Sequence, residues 1–165
     1  MNMGLLVRKI NRGKWPNIDK YDVFNISSDA ITSCLRSSKN TLSVWKIDTE
    51  NHLDEAVLAL AANFQRLESI DVVLLDNHDL IKGNINCVQT KGITLVKDLE
   101  DTHYDLSELN YYSVGLIAEH ITQRIFLKKI KRYTITDLKK IIKKAIDENR
   151  LRIEDLNESV RKRIA

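Results

Sequence analysis

The spacing of apolar positions changes several times along the chain, and each change marks an element. In LLVRKI (5–10), apolar side chains enclose Arg8 and Lys9, which predicts a short strand. NRGKWPNIDKYD follows with Gly13 and the only proline, Pro16, and reads as a loop. In SSDAITSCLRSSKN, Ala30, Ile31, Cys34 and Leu35 fall at helical spacing behind Ser27 and Ser28, a short capped helix ending near Asn40. TLSVWKI (41–47) is rich in β-branched and aromatic residues, with Leu42 and Val44 alternating with polar neighbours, and reads as a strand. Leu53, Ala56, Val57, Leu60, Ala61, Phe64 and Leu67 step by threes and fours, the stripe of an amphipathic helix. IDVVLLD (70–76) is apolar at nearly every position, as a strand covered on both faces is.

Strand, helix and buried strand in that order form a βαβ unit. The expected fold class is therefore α/β: a small mixed sheet with a βαβ unit, containing at least one parallel pair with Val72–Leu75 central. NHDLIKGN predicts a turn or a short helical turn, and INCVQTK (85–91) a further strand. After Gly115 there is neither glycine nor proline. Val114, Ile117, Ala118, Ile121 and Ile125 predict a helix from about Leu109 to Lys131. Thr134 and Asp137 begin another, with Leu138, Ile141, Ile142 and Ala145 inward, and Leu156, Val160 and Ile164 mark a last, shorter one. The organisation expected is an α/β core over residues 1–108, followed by a helical, basic C-terminal segment over 109–165 that packs on it or extends from it, a single domain in all.

Composition adds one decisive feature, the placement of charge. Net charge is only +3, but residues 1–123 hold 12 Lys/Arg against 17 Asp/Glu, and residues 124–165 hold 14 against 6. A basic third of this kind meets something acidic: nucleic acid, a protein partner, or the chain's own acidic portion. Apolar runs are far too short to span a bilayer, and the N-terminal stretch is too short for a leader, so a cytoplasmic protein without membrane contact is expected. Two cysteines, Cys34 and Cys87, without framework or CxxC spacing fit a reducing compartment, with both thiols as small core residues.

Candidate chemistry is sparse. Glycine loops that cradle phosphate and nucleophile motifs are absent from the sequence, and His52, His78, His103 and His120 have no zinc spacing. DNHD (76–79) and EDTHYD (100–105) each set a histidine among carboxylates, the composition of surface turns. Arg8, Lys9, Arg12 and Lys14 beside Trp15 could form a phosphate-and-stacking surface or a solvated strand edge. Lys139, Lys140, Lys143 and Lys144, with Arg161, Lys162 and Arg163, set cations opposite an apolar stripe on two short helices, 137–148 and 154–164. They suit a helix-turn-helix-like element on phosphates, or a cationic face that grips an acidic protein.

Asp71, Asp76, Gln89 and Lys91 resemble the acid…(Glu/Gln)-x-Lys pattern of the PD-(D/E)xK nuclease superfamily. The resemblance implies catalysis by Asp71, Gln89 and Lys91. Asp71 and Asp76 would hold Mg²⁺, and Glu55 or Glu68 would offer a further ligand. Without that activity no cofactor is expected. The first expectation is a non-enzymatic interaction protein with a protein partner, of the kind found as an antitoxin, immunity or accessory component of a bacterial conflict or defence system. A Mg²⁺-dependent nuclease using 70–92 stands second, and a nucleic-acid-binding module using the basic C-terminal helices third.

Overall fold

The computed structural model describes residues 4–164. Residues 1–3 and 165, and with them part of the stretch read for a leader, lie outside the described residues. The fold is mixed α/β, a sheet of six strands between two layers of helices. The strands are β1 (Leu5–Ile10), β2 (Leu42–Ile47), β3 (Ile70–Asp76), β4 (Asn86–Gln89), β5 (His103–Ser107) and β6 (Ile130–Tyr133). The helices are α1 (Ser28–Cys34), α2 (Leu53–Ala61), α3 (Asn77–Lys82), α4 (Tyr111–Phe126), α5 (Ile135–Asp147) and α6 (Glu158–Ile164).

The sheet order is β4-β5-β2-β1-β3-β6, and every neighbouring pair is antiparallel. The expected adjacent parallel pair is not formed. β2 and β3 run in the same direction, because each is antiparallel to β1, but β1 lies between them. The βαβ unit is thus split, its gap filled by the strand that precedes it in the chain. β3 is still an interior strand, and Val72 to Leu75 are at most 3% exposed.

Alternation along the strands sorts side chains into two cores. Val7, Trp45, Ile47, Val72 and Leu74 face a layer of α2, α5 and α6. Leu6, Ile10, Val44, Val73 and Leu75 face α1, α3 and α4. Burying a core side chain contributes roughly 1.5–3 kcal/mol, so the doubly covered β1 and β3 anchor the molecule. The C-terminal third belongs to both cores and also supplies β6, whose Tyr133 hydroxyl donates to Asp54 Oδ1 of α2 at 2.7 Å. No helix among the described residues is long and apolar enough to cross a membrane. Cys34 is buried and Cys87 half-buried, both as free thiols.

Candidate functional site

The residues that resemble the nuclease pattern do not meet. β3 and β4 are not a hairpin, since β1, β2 and β5 lie between them. Four strand spacings of ~4.8 Å put Asp71 and Gln89 roughly 19 Å apart. Asp71 and Asp76 sit at opposite ends of β3, five residues and therefore about 17 Å apart, too far to share one ion. Each group also has another partner. The Asp71 carboxylate lies 3.1 Å from Nη1 of Arg132, its cross-strand neighbour on β6. Gln89 Nε2 donates to the Asp101 carbonyl at 2.6 Å. Lys91 lies 2.9 Å from Glu100, which also takes Lys97 at 2.7 Å. Glu100 raises the Lys91 pKa, fixing it as a cation, while Lys97 and Lys91 hold the Glu100 carboxyl below its ordinary value. Glu55 pairs with Arg150, and Glu68 with Lys9 and Arg66.

Asp76 has a structural use as the N-cap of α3, accepting from the backbone N–H of His78 at 2.9 Å and of Asp79 at 3.3 Å. Its own backbone N–H donates to His120 Nε2 at 3.0 Å. Asp76, His78 and Asp79 bring ligand atoms within 4.8 Å of one another, with His78 and Asp79 exposed. They form the first turn of a capped helix. His103 sits under the strand-linking loop, edge-on to Trp45 with ring centroids 5.0 Å apart. The Thr90 hydroxyl donates to Asp105 Oδ2 at 2.9 Å and lies 2.8 Å from His103 Nδ1. With its one proton given to Asp105, the hydroxyl accepts from Nδ1–H of His103. EDTHYD closes a 3₁₀ turn, Lys97–Thr102, and enters β5 at His103.

The expected stacking surface near the N-terminus is not built either. Trp15 is 4% exposed and its Nε1–H donates to Cys34 Sγ at 3.3 Å, so no base can stack on it. Instead the segment holds a cleft. β1 pairs with β3 along its whole length but with β2 only over Leu5–Val7, and where β1 and β2 part a cavity of about 720 Å³ opens. Arg8 crosses this gap. Its Nε–H donates to the Cys34 carbonyl at the end of α1 at 2.9 Å, and Nη1 to the Ser43 carbonyl at 2.6 Å. Sequence reading placed Arg8 among surface cations. The missed signal was its phase, since Arg8 shares the face of Leu6 and Ile10.

The basic C-terminal third divides in two. Lys129, Lys131, Arg132 and Arg150 pair with Glu50, Asp54, Asp71 and Glu55 of the acidic portion. Lys144 pairs only along its own helix with Glu148, at 3.9 Å, and Lys162 with Glu158, at 2.6 Å. Among the described residues no carboxylate lies within 4 Å of Lys139, Lys140, Lys143, Arg161 or Arg163. On α5 the four lysines stand at three- and four-residue steps, so like charges face one another, which costs a few tenths of a kcal/mol per pair. Leu138, Ile142 and Ala145 hold the opposite face in the core. The helix-turn-helix geometry is absent here. α5 and α6 are joined by a connection from Glu148 to Asn157 containing a single 3₁₀ turn, Ile153–Asp155, against the turn of about three to four residues that motif uses.

Comparison with known protein families, with curated proteins and with solved structures finds no match to this chain.

Proposed function

We propose that this is a non-enzymatic interaction protein that binds an acidic protein partner through the outer face of α5. The observation that carries the reading is the sorting of cations in the C-terminal third. Those that meet the protein's own acids are used, while among the described residues Lys139, Lys140 and Lys143 have no carboxylate within 4 Å, Asp137 acting on Lys140 only from further off, and they form a row of like charge. Such a row on a helix rigidly packed through Leu138 and Ile142 steers and orients an acidic surface. A protein suits it better than a duplex. Asp147, Glu148, Glu154 and Asp155 at the end of α5 and in the following turn would oppose a phosphate backbone that ran on along the helix. An antitoxin, immunity or accessory component of a bacterial defence system, acting in the cytoplasm, is a role of this kind.

The test uses two probes of equal charge, a glutamate-rich amphipathic peptide and a DNA duplex, titrated against the wild type and K139E/K140E/K143E. The peptide should bind the wild type more tightly than the duplex at physiological salt, and the triple variant should lose about tenfold or more of that affinity. Tighter binding of the duplex, with a steep salt dependence, would assign α5 to nucleic acid instead. Unchanged peptide affinity in the variant would remove the proposal.

A further inference from the structure

We infer that the cleft where β1 parts from β2 is a binding site for a small anionic ligand, carrying a carboxylate or a phosphate monoester, with Arg8 as its anchor. The site is independent of α5. At about 720 Å³ the cleft falls within the range of small-molecule sites, roughly 300–1,000 Å³.

Its lining has an excess of positive charge. Arg8, Lys9 and Arg132 face Glu68 and Asp71, three cations against two acids. The acids are accounted for: Glu68 by Lys9 at 3.3 Å, and Asp71 by Arg132 at 3.1 Å. Arg8 is the cation left over. Its three hydrogen-bonding nitrogens all donate to backbone carbonyls, Nε and Nη2 to Cys34 and Nη1 to Ser43. Carbonyls supply partial charge only. The end of α1 adds the weak negative pole of a two-turn helix, which does not neutralise a guanidinium. Burial accordingly depresses the Arg8 pKa, yet arginine stays charged at any ordinary pH.

A guanidinium has five N–H donors, and the bonds at Arg8 use three. Two remain for a ligand, the number that a bidentate carboxylate or phosphate takes. Asn11, Ser33, Ser43 and Ser69 line the same cleft and can supply neutral hydrogen bonds. Arg124, which is buried where Arg8 is half-buried, donates to the Leu74 carbonyl and does not line this cleft. A purely structural Arg8, capping α1 and bracing β2, would need no cavity beside it.

The experiment titrates inorganic phosphate and acetate into the full chain at constant ionic strength, read by amide chemical shifts and by calorimetry. Saturable binding is expected, with shifts concentrated at Arg8, Asn11, Ser43 and Ser69. R8Q should lose about tenfold or more in affinity. Because R8Q also removes the α1 cap, the second variant is N11D, which is isosteric and places a carboxylate in the cleft as an internal competitor. N11D should keep the fold and lose at least about fivefold in affinity. The relative strength of the two probes separates a phosphate ligand from a carboxylate one. The inference is overturned if the wild type shows no saturable shift, if N11D and R8Q bind as the wild type does, or if K139E/K140E/K143E alone abolishes binding.

Discussion

At the scale of single residues, His120 is the group whose protonation the fold resists most directly. It is 8% exposed on α4, and its Nε2 accepts the backbone N–H of Asp76 at the end of β3. A proton on Nε2 would set two donors against each other. Burial first, and then the neighbouring Arg124, lower its pKa below the ordinary 6.5, although Asp79 and Asp76 pull the other way. The sign follows from linkage. Since the unfolded state binds the proton more readily, stability from neutral His120 is complete above pH 6.5 and is lost as pH falls toward the depressed folded value. Denaturant unfolding followed from pH 7.5 to 5 should show this loss, and H120Q should flatten the profile in part. The rest belongs to His103, whose pKa burial also holds below 6.5. A profile that H120Q leaves unchanged would assign the acid sensitivity elsewhere. Asp137 acts in a separate window. Its hydrogen bonds to Thr134 depress its pKa below 3.8, so its contribution persists to lower pH and disappears only as the carboxylate protonates.

At the scale of elements, three helices end in the same way without glycine in the left-handed position. After α3 the backbone N–H of Ile85 donates to the Leu80 carbonyl and that of Asn84 to Ile81. The equivalents are Lys129 to Arg124 and Lys128 to Ile125 after α4, then Arg150 to Ala145 and Asn149 to Ile146 after α5. These are Schellman motifs, with Asn84, Lys128 and Asn149 each at φ +58°. Asparagine adopts that region more readily than lysine, whose Cβ meets a steric cost there, so K128G should stabilise the protein by about 0.5–1 kcal/mol in chemical denaturation. A destabilised K128G would mean that the lysine side chain contributes more than its backbone costs. The same feature explains a sequence misreading. The expected helix to Lys131 stops at Phe126, and the missing glycine concealed both the turn and β6. Amphipathic stripes and buried runs made β1, β2, β3 and α5 legible, because one face or both lie in the core. The stripe of α2, by contrast, runs on to Leu67 while the helix ends at Ala61, with Phe64 and Leu67 beyond it. β5 and β6 are short, and they satisfy neither pattern alone. The order of strands was not legible at all. Nothing local in LLVRKI says that it inserts between the two strands of the βαβ unit. That insertion keeps Asp71 apart from Gln89 and Lys91, and the parting of β1 from β2 creates the cleft around Arg8.

At the scale of the whole molecule, the uneven charge of the sequence is partly an internal fastening. Arg150, just past the end of α5, joins three segments that are distant in sequence. Its Nη1 lies 3.1 Å from Glu55 of α2, its Nε 3.0 Å from Asp98, and a further contact reaches Glu148 at 3.7 Å. The hydrogen bonds to Glu55 and Asp98 raise its pKa further above that of a free arginine. The guanidinium is 23% exposed and the carboxylates more so, so solvent screening limits what the cluster contributes. Several charge-assisted bonds sharing one rigid fork still exceed an isolated surface pair. R150M, which keeps the apolar stem and removes the charge, should cost about 1–2 kcal/mol in low salt and visibly less at high ionic strength. A loss independent of salt would assign the effect to packing of the stem. The contrast with α5 gives the prediction its wider meaning. R150M breaks contacts between the basic third and the acidic core, so it should lower stability without weakening an acidic probe. Charge reversal at Lys139, Lys140 and Lys143 exchanges one set of like charges for another on the outer face and breaks no close ion pair. It should therefore change stability by no more than a few tenths of a kcal/mol per pair while weakening that binding about tenfold or more. Cations that hold the fold and cations that face outward then separate into two sets, each with its own measurement.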